Sequence, residues 1–209
     1  MVFRSSTSEQ MPMIAERLVC LREAGQVLYE RFDCKFLSCI TAARGSAARL
    51  VNIIARDFGC FRDEHVFEGR TVHLYKRAQI LVADVWGCFN GRGYGEFGDI
   101  DSITMFADYR IPQILHSHRV LMYSPSLEAR LRRKQLMPSG SQAEVEIRGC
   151  SIWAIEMIKR EMLKTQTEGI DGLNSILIDF FLYDTFQANG SKGKTAEGLP
   201  HHRCRSIWY

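Results

Sequence analysis

Apolar residues recur three, four or seven positions apart along most of this chain, which is the spacing of one face of an α-helix. The first run extends from Ile14 to Leu28 and predicts a helix that ends near Glu30. Ser8 is the predicted cap of this helix. Comparable runs predict further helices at 46–58, 75–86, 124–131, 141–164 and 173–187. The pattern therefore predicts about seven helices in a single all-α domain that spans residues 1–209.

Capping residues mark where several of these helices begin. Ser46 and Ser124 each stand directly before an apolar run, and Pro125 suits the first position of a helix. Ser141 is followed three residues later by Glu144, which is the spacing of a capping box. We therefore expect the Ser141 hydroxyl and the Glu144 carboxylate to satisfy backbone N–H groups at the start of a long helix.

The segments between and after the helices contain few other structural signals. Residues 64–75 alternate around Glu68 and Gly69, and this is the one plausible β-hairpin. Four glycines between 91 and 98 resemble a phosphate-binding loop only superficially, because no strand precedes them and no Gly-Lys-Ser/Thr follows. We expect them to form a connector. The tail at 201–209 ends in bulky aromatic side chains, so we expect it to pack against the helices.

A single carboxylate, that of Asp108, lies within a largely apolar and aromatic run at 103–112. Asp101 and Ser102 are good helix caps, and Pro112 suits the start of a following helix. The pattern predicts a helix, a short turn and a second helix, with Asp108 near the join. An ionised carboxylate in apolar surroundings is costly unless a cation pairs with it. Asp108 is therefore either a satisfied structural anion or a functional one.

The composition narrows the class of protein. The chain has 209 residues, 46% of them hydrophobic, and its net charge of +3 suits a small anionic ligand without requiring nucleic acid. Its seven cysteines include no C-x-x-C pair, which favours a reducing compartment over a disulfide scaffold or a zinc site. With neither a signal peptide nor an apolar run of membrane-spanning length, the sequence predicts a soluble, cytoplasmic protein.

Two further carboxylates, those of Asp179 and Asp184, lie in the apolar run at 173–187. They point about 140° from one another on a helix, whereas Phe180 and Asp184 share a face along which a ligand can stack and hydrogen-bond. Alternatively, these acids cap neighbouring helices or pair with Arg148 or with arginines of the tail. The histidines lack metal-ligand spacing and no nucleophile motif is present, so we expect neither a metal nor a cofactor.

Five long segments, in order along the chain, resemble a known family. They are YKRAQILVAD at 75–84, DSITMFADYR at 101–110, QAEVEIRGCSIW at 142–153, ILIDFFLYD at 176–184 and HRCRSIWY at 202–209. The chain resembles the queuosine salvage proteins, which are queuosine 5′-phosphate N-glycosylases/hydrolases. The resemblance implies an all-α fold related to the helix-hairpin-helix DNA glycosylases. It also implies release of the base queuine from the 5′-monophosphate nucleoside, for reuse in tRNA modification.

The resemblance implies that the chemistry takes place at Asp108 and Lys76. Asp108 matches the family's catalytic aspartate, and Lys76 matches the lysine placed near it. Cleavage of an N-glycosidic bond builds positive charge on the sugar, which a nearby carboxylate stabilises. The same carboxylate can orient or deprotonate the attacking water. Lys76 either sets the ionisation of Asp108 or anchors the 5′-phosphate.

The resemblance also implies a substrate-binding face. Asp179, Phe180 and Asp184 match substrate-contacting positions of the family. The two acids can hold the cationic aminomethyl group and the diol of queuine, while Phe180 or Phe106 can stack on the base. The expected partner is a small nucleotide, queuosine 5′-phosphate, with no stable nucleic-acid partner and no membrane partner.

One departure from the family bears on activity. Family members have a further N-terminal region before the point matched by residues 2–5, and that region supplies residues to the pocket. We therefore expect a shortened form in which Phe106 and Phe180 face water and in which stability and activity are reduced. Two rival functions remain: a non-catalytic binding protein with the same fold, and a glycosylase acting on nucleic acid. The mild net charge disfavours the second.

Overall fold

A computed structural model of the chain describes, apart from the side chains of 189–191, residues 7, 9, 11–165, 172–191 and 198–209. Within this part the fold is mainly helical, which confirms the all-α prediction. Its eight α-helices are α1 Ile14–Arg31, α2 Phe36–Ala43, α3 Ala47–Asp57, α4 Lys76–Cys88, α5 Arg110–Ser117, α6 Pro125–Arg132, α7 Gln142–Lys164 and α8 Ser175–Ser191. No helix in these ranges is long and apolar enough to cross a membrane.

The N-terminal half of the molecule packs around α3 and α4. Ser46 caps α3, as predicted, by accepting the N–H of Arg49 at 3.1 Å. The apolar face of α3 buries Leu50 and Ile54 in a core shared with α2 and α4. In contrast, α1 has no buried residue, although its partly buried side chains line the same core. The packing of this half therefore centres on α3, against which the helix that begins at Lys76 is placed.

Residues 103–108 are not helical, so the predicted helix before Asp108 is wrong; only a short 3-10 turn, Ile100–Ser102, precedes them. The side chains of residues 105–107 point alternately to two cores, as in an extended chain, while Ile103 lies in the same core as Phe106. Phe106 belongs to the first core, whereas Met105 and Ala107 belong to a second one between α5, α7 and α8. The segment therefore joins the two halves of the fold.

Side chains of three helices hold this segment in place. Gln79 and Asp179 accept backbone N–H groups of the segment at 2.8 and 3.0 Å, and Arg148 donates to one of its carbonyls at 2.8 Å. Buried backbone groups must find partners, and here the partners come from distant parts of the chain. This is why local capping signals mispredicted a helix.

Two short strand pairs complete the structure. β1 Glu64–Phe67 and β2 Arg70–His73 form the predicted antiparallel hairpin. β3 Leu136–Met137 pairs in parallel with β4 Arg203–Cys204, which the sequence did not predict. This pairing anchors the C-terminal tail on the helices, so the expectation that the tail packs against them is confirmed.

The predicted capping box at the start of α7 is wrong in both halves. The Ser141 hydroxyl is buried without a hydrogen-bond partner in the described part of the chain. Glu144 accepts the N–H of Gly140 at 2.9 Å instead of the N–H of Ser141. Its other carboxylate oxygen faces Arg148 at 3.3 Å. The Glu144 carboxylate therefore pairs with the buried Arg148 cation instead of capping the helix. Leaving this cation unpaired would cost more free energy than losing the cap.

Three predicted features fall partly or wholly outside the described residues. Ser8, the predicted cap of α1, is one of them, and α1 itself begins at Ile14. The others are two connectors that the glycines and charged residues predict at 164–172 and 189–198, of which residues 166–171 and 192–197 lie outside the described part. Where the structure describes the chain on either side, α7 ends at Lys164 as predicted and α8 continues to Ser191, beyond its predicted end.

Candidate active site

Asp108 lies directly before α5, at the end of the non-helical segment. Its Oδ1 accepts the backbone N–H groups of Arg110 and Ile111 at 2.8 and 3.0 Å. The partial positive charge at the N-terminus of a helix favours a carboxylate at this position. Within the described ranges both hydrogen bonds to the Asp108 side chain use Oδ1, which leaves Oδ2 available to a ligand or a water molecule.

Lys76 begins α4 and interacts electrostatically with Asp108. Burial raises the pKa of the Asp108 carboxyl above its ordinary value, against the opposing effects of its N–H donors and of Lys76. Burial also lowers the pKa of the Lys76 amine, while the charge of Asp108 opposes this shift. Desolvation thus brings the pKa values of the acid and the base closer together than in water.

Asp179 brings a second carboxylate from α8 to the same place. It is buried, and its Oδ2 accepts the N–H of Phe106 at 3.0 Å. Burial, reinforced by the negative charge of Asp108, raises the pKa of Asp179 to about 7, against the effects of the Phe106 N–H and Lys76. Asp108, Lys76 and Asp179 therefore form one electrostatic cluster, although they come from three separate segments of the chain.

Two aromatic rings flank this cluster. The centroids of Phe106 and Phe180 are 6.0 Å apart. Phe106 is buried, whereas Phe180 is 41% exposed, so the expectation that both rings face water is correct only for Phe180. Asp184 is exposed and lies one helical turn beyond Phe180 on α8. The structure thus groups all the predicted site residues except Asp184, which stands further along the same helix face.

A buried ion pair behind the cluster was missed by the sequence reasoning. Arg148 of α7 forms a two-pronged contact with Asp63, one prong of which measures 3.0 Å, and it also meets Glu144. Arg148 therefore does not pair with Asp179 or Asp184, which was one alternative for those acids. The i, i+4 spacing of Glu144 and Arg148 was a readable signal. Nothing local identified Asp63, which is distant in sequence.

The chemistry available here is that of carboxylates beside a polar ligand. Asp108 offers the oxygen Oδ2, Lys76 offers an amine, and burial raises the pKa of Asp179 to about 7. Such groups stabilise positive charge, orient water and hydrogen-bond to a heterocycle, while Phe180 provides a surface for stacking. In the described part of the chain, no three His, Cys, Asp or Glu side chains are grouped to hold a metal ion.

Within a helical fold, this acidic, aromatic-flanked cluster is the candidate active site. The chain belongs to the queuosine salvage protein family, whose model matches residues 1–209. The resemblance inferred from the sequence is therefore confirmed.

Several curated proteins named queuosine 5′-phosphate N-glycosylase/hydrolase are similar to the whole of this chain or nearly so. The Mus musculus protein is 44% identical over 211 residues, which cover 100% of this chain and 62% of the relative. The Schizosaccharomyces pombe protein is 42% identical over 214 residues, which cover 100% of this chain and 60% of the relative. The Sphaerobacter thermophilus protein is 42% identical over 200 residues, which cover 96% of this chain and 59% of the relative. The chain thus spans about three fifths of these relatives' length.

Proposed function

We propose that the chain hydrolyses the N-glycosidic bond of queuosine 5′-phosphate and releases queuine. One observation carries this proposal: Asp108 is fixed through Oδ1 by two N–H groups, while Oδ2 stays available beside Lys76 and Asp179. A carboxylate held in this way can face a sugar that becomes positively charged. The names of the relatives supply the substrate, queuosine 5′-phosphate.

The reaction we propose is a direct hydrolysis. A water oxygen bonds to the anomeric carbon as the bond from this carbon to the glycosidic nitrogen breaks, and the electron pair of that bond goes to the base. Asp108 stabilises the oxocarbenium-like charge on the ribose and takes a proton from the attacking water. The departing base gains a proton. The products are queuine and ribose 5-phosphate.

We assign Asp179 to the base rather than to the sugar. Its pKa of about 7 means that the carboxyl is present in both protonation states near neutral pH, so it can donate or accept a hydrogen bond. Phe180, which is partly exposed, stacks on the base. Asp184, exposed and one turn further along α8, then holds the aminomethyl cation or the diol at the rim.

Of the two roles open to Lys76, we favour control of the ionisation of Asp108. Asp108 is the largest charge interaction of Lys76, and it opposes the effect of burial on the pKa of the amine. All seven cysteines are free, which suits a reducing compartment such as the cytoplasm as the place of reaction.

The test is incubation of the purified chain with queuosine 5′-phosphate, followed by chromatography and mass spectrometry for free queuine. We expect queuine and ribose 5-phosphate in equal amounts. Queuosine without the phosphate, and a DNA or RNA strand that contains the base, serve as comparison substrates. Absence of queuine from the nucleotide would reject the proposal, and faster release from the strand would favour the nucleic-acid glycosylase instead.

A further inference from the structure

A fully buried arginine connects the two segments that carry the candidate catalytic residues. Arg148 donates from Nε to the carbonyl of Ala107 at 2.8 Å, directly before Asp108. Its two Nη groups reach the carboxylate of Asp63. Asp63 in turn accepts the backbone N–H of Lys76 at 3.3 Å. A continuous chain of hydrogen bonds therefore runs from the peptide before Asp108 to the first residue of α4.

Further polar groups contact Arg148 besides Ala107 and Asp63. Glu144, which is also fully buried, accepts from Arg148 at 3.3 Å and from the hydroxyl of Tyr209 at 2.6 Å. The guanidinium lies 5.1 Å from the centre of the Tyr209 ring. His202 bonds to the same hydroxyl at 2.9 Å. The C-terminal tail thus closes the site around Arg148 on the side away from Ala107.

A buried ion pair of this kind adds little net free energy of stabilisation to a core. Removing two charges from water costs several kcal/mol each, and well-packed apolar residues of similar volume are often at least as stabilising. What the arginine adds is geometry, because its planar fork presents several N–H donors in fixed directions. Here those directions coincide with Ala107 on one side and Asp63 on the other.

We propose that Arg148 and Asp63 are positioning residues, which fix the distance between Asp108 and Lys76 during glycosidic bond hydrolysis. This inference rests on the proposed function. Neither side chain needs to touch the substrate. Because the fork is rigid, a shift of α4 relative to the peptide before Asp108 breaks at least one of its hydrogen bonds.

The pair also acts on the charge of Lys76, and in opposite directions. The Arg148 cation lowers the pKa of the Lys76 amine, whereas the Asp63 carboxylate raises it. The charged groups that influence Lys76 are Asp108, Asp63, Asp179, Arg148 and Arg77. Removal of the cation should therefore raise the pKa of Lys76, and removal of the anion should lower it.

The test compares Asp63→Asn and Arg148→Met with Asp57→Asn, a control that also removes the charge of a buried carboxylate paired with arginines. The Asp57 side chain is buried at the end of α3 and pairs with Arg31 and Arg56, each at 2.7 Å, although both arginine side chains are more than half exposed. It takes no part in the site. For both site variants we expect kcat to fall on the order of a hundredfold, with KM changed by no more than about twofold. For the control we expect kcat to stay constant per folded molecule.

A titration of the Lys76 side chain, followed by heteronuclear NMR, supplies a readout independent of turnover. We expect the midpoint to rise in Arg148→Met, to fall in Asp63→Asn and to stay in place in Asp57→Asn. If Arg148→Met does not fold, Arg148→Lys replaces it. That variant keeps the cation, so the midpoint should stay in place, while kcat still falls because one ammonium group cannot reach both partners.

Two results would overturn the inference. One is a loss of kcat in the site variants no greater than in Asp57→Asn. The other is a Lys76 midpoint that does not respond to loss of the charge of Asp63. If the unaltered chain releases no queuine, the proposed function fails, yet the Lys76 titration still decides whether Arg148 and Asp63 control this amine.

Discussion

At the scale of single residues, the site depends on charges held where water would normally screen them. Asp108 keeps a raised pKa because burial outweighs its two N–H donors and Lys76. Asp179 is shifted further by burial and by the charge of Asp108. Each carboxylate therefore tends to hold its proton more strongly than an exposed aspartate does. A cationic or positively polarised ligand would stabilise the ionised form of these buried carboxyl groups, which favours binding of such a ligand.

Asp108→Asn should abolish release of queuine with little change in fold. The amide oxygen can still accept the two N–H groups of α5, but the negative charge that we propose faces the sugar is lost. Loss of one electrostatic partner of a transition state commonly costs about 2.7–4 kcal/mol, a hundredfold or more in rate. Single-turnover release of queuine and thermal unfolding measure the two effects. Unchanged turnover would remove Asp108 from the reaction.

Asp179→Asn should make stability less dependent on pH. With a folded-state pKa of about 7 against an ordinary value of 3.8, the folded chain holds a proton that the unfolded chain has released. The free energy of unfolding of the unaltered protein should therefore decrease as pH rises between these two values, by up to a few kcal/mol. The variant lacks this contribution. Urea unfolding at about pH 5 and about pH 8 measures the difference, and parallel pH dependence in both proteins would contradict it.

At the scale of elements, the decisive segment is 103–108, whose backbone bonds to side chains of α4, α7 and α8. Within the segment, the N–H of Asp108 donates to the carbonyl of Phe106 at 2.6 Å. This places Asp108 at a junction between two cores. The same segment carries Phe106 into the first core. Its conformation is thus set by the helices around it. A change in any of these helices should therefore alter the position of Asp108.

Gln79→Ala tests this dependence. The Gln79 side chain accepts the N–H of Thr104 at 2.8 Å and donates to the carbonyl of Leu74 at 3.0 Å. Its removal leaves one buried and one partly buried backbone group unpaired, at a cost of about 1–3 kcal/mol for the buried carbonyl of Leu74 and less for the N–H of Thr104. Denaturant unfolding should show this loss, whereas Gln142→Ala, which removes an exposed contact with Glu146, should stay within about 0.5 kcal/mol of the unaltered chain.

At the scale of the whole molecule, the C-terminal tail completes the structure from a distance. Tyr209 reaches Glu144 of α7, and Arg77 of α4 donates to the carbonyl of Ile207 at 3.2 Å. The tail therefore ties together the helices that carry Lys76 and Arg148. In contrast, α1 contributes only partly buried side chains to its core and leaves Val19 and Tyr29 exposed. The two ends of the described chain differ in how firmly they pack.

Tyr209→Phe should destabilise the fold although it removes one oxygen atom only. The hydroxyl donates to a buried carboxylate, and hydrogen bonds to charged groups contribute about 1.5–3 kcal/mol. The matched control is Tyr123→Phe, which removes a longer bond of 3.3 Å to the neutral carbonyl of Pro112 and should cost less. Urea unfolding compares the two variants. Equal decreases in the free energy of unfolding would show that the hydrogen bond from Tyr209 to Glu144 stabilises the fold no more than the bond to a neutral carbonyl does.

Much of the fold could be read from local pattern. The caps at Ser46 and Ser124, the hairpin at 64–75 and the long helix after Ser141 were all predicted at nearly the right positions. Each depends on residues a few positions apart, whose periodicity and turn chemistry act through the nearby backbone. The all-α class follows directly from these local features.

The candidate site was only partly readable. Local pattern identified an unusual carboxylate at Asp108 but left open whether it was structural or functional, and the family resemblance supplied the proposed roles. Arg148 entered as a partner for the wrong acids, and Asp63 did not enter at all. Their ion pair joins positions 85 residues apart, so no periodicity encodes it.

The sequence by itself therefore determined where most of the helices form, which side chains carry charge and which family the chain resembles. The tertiary structure alone decided that residues 103–108 are not helical and that Arg148 connects the Ala107 carbonyl with Asp63. The physical reason is the same in both cases. A buried polar group must be satisfied, and when its partners lie on other helices, only their packing determines which partner it finds.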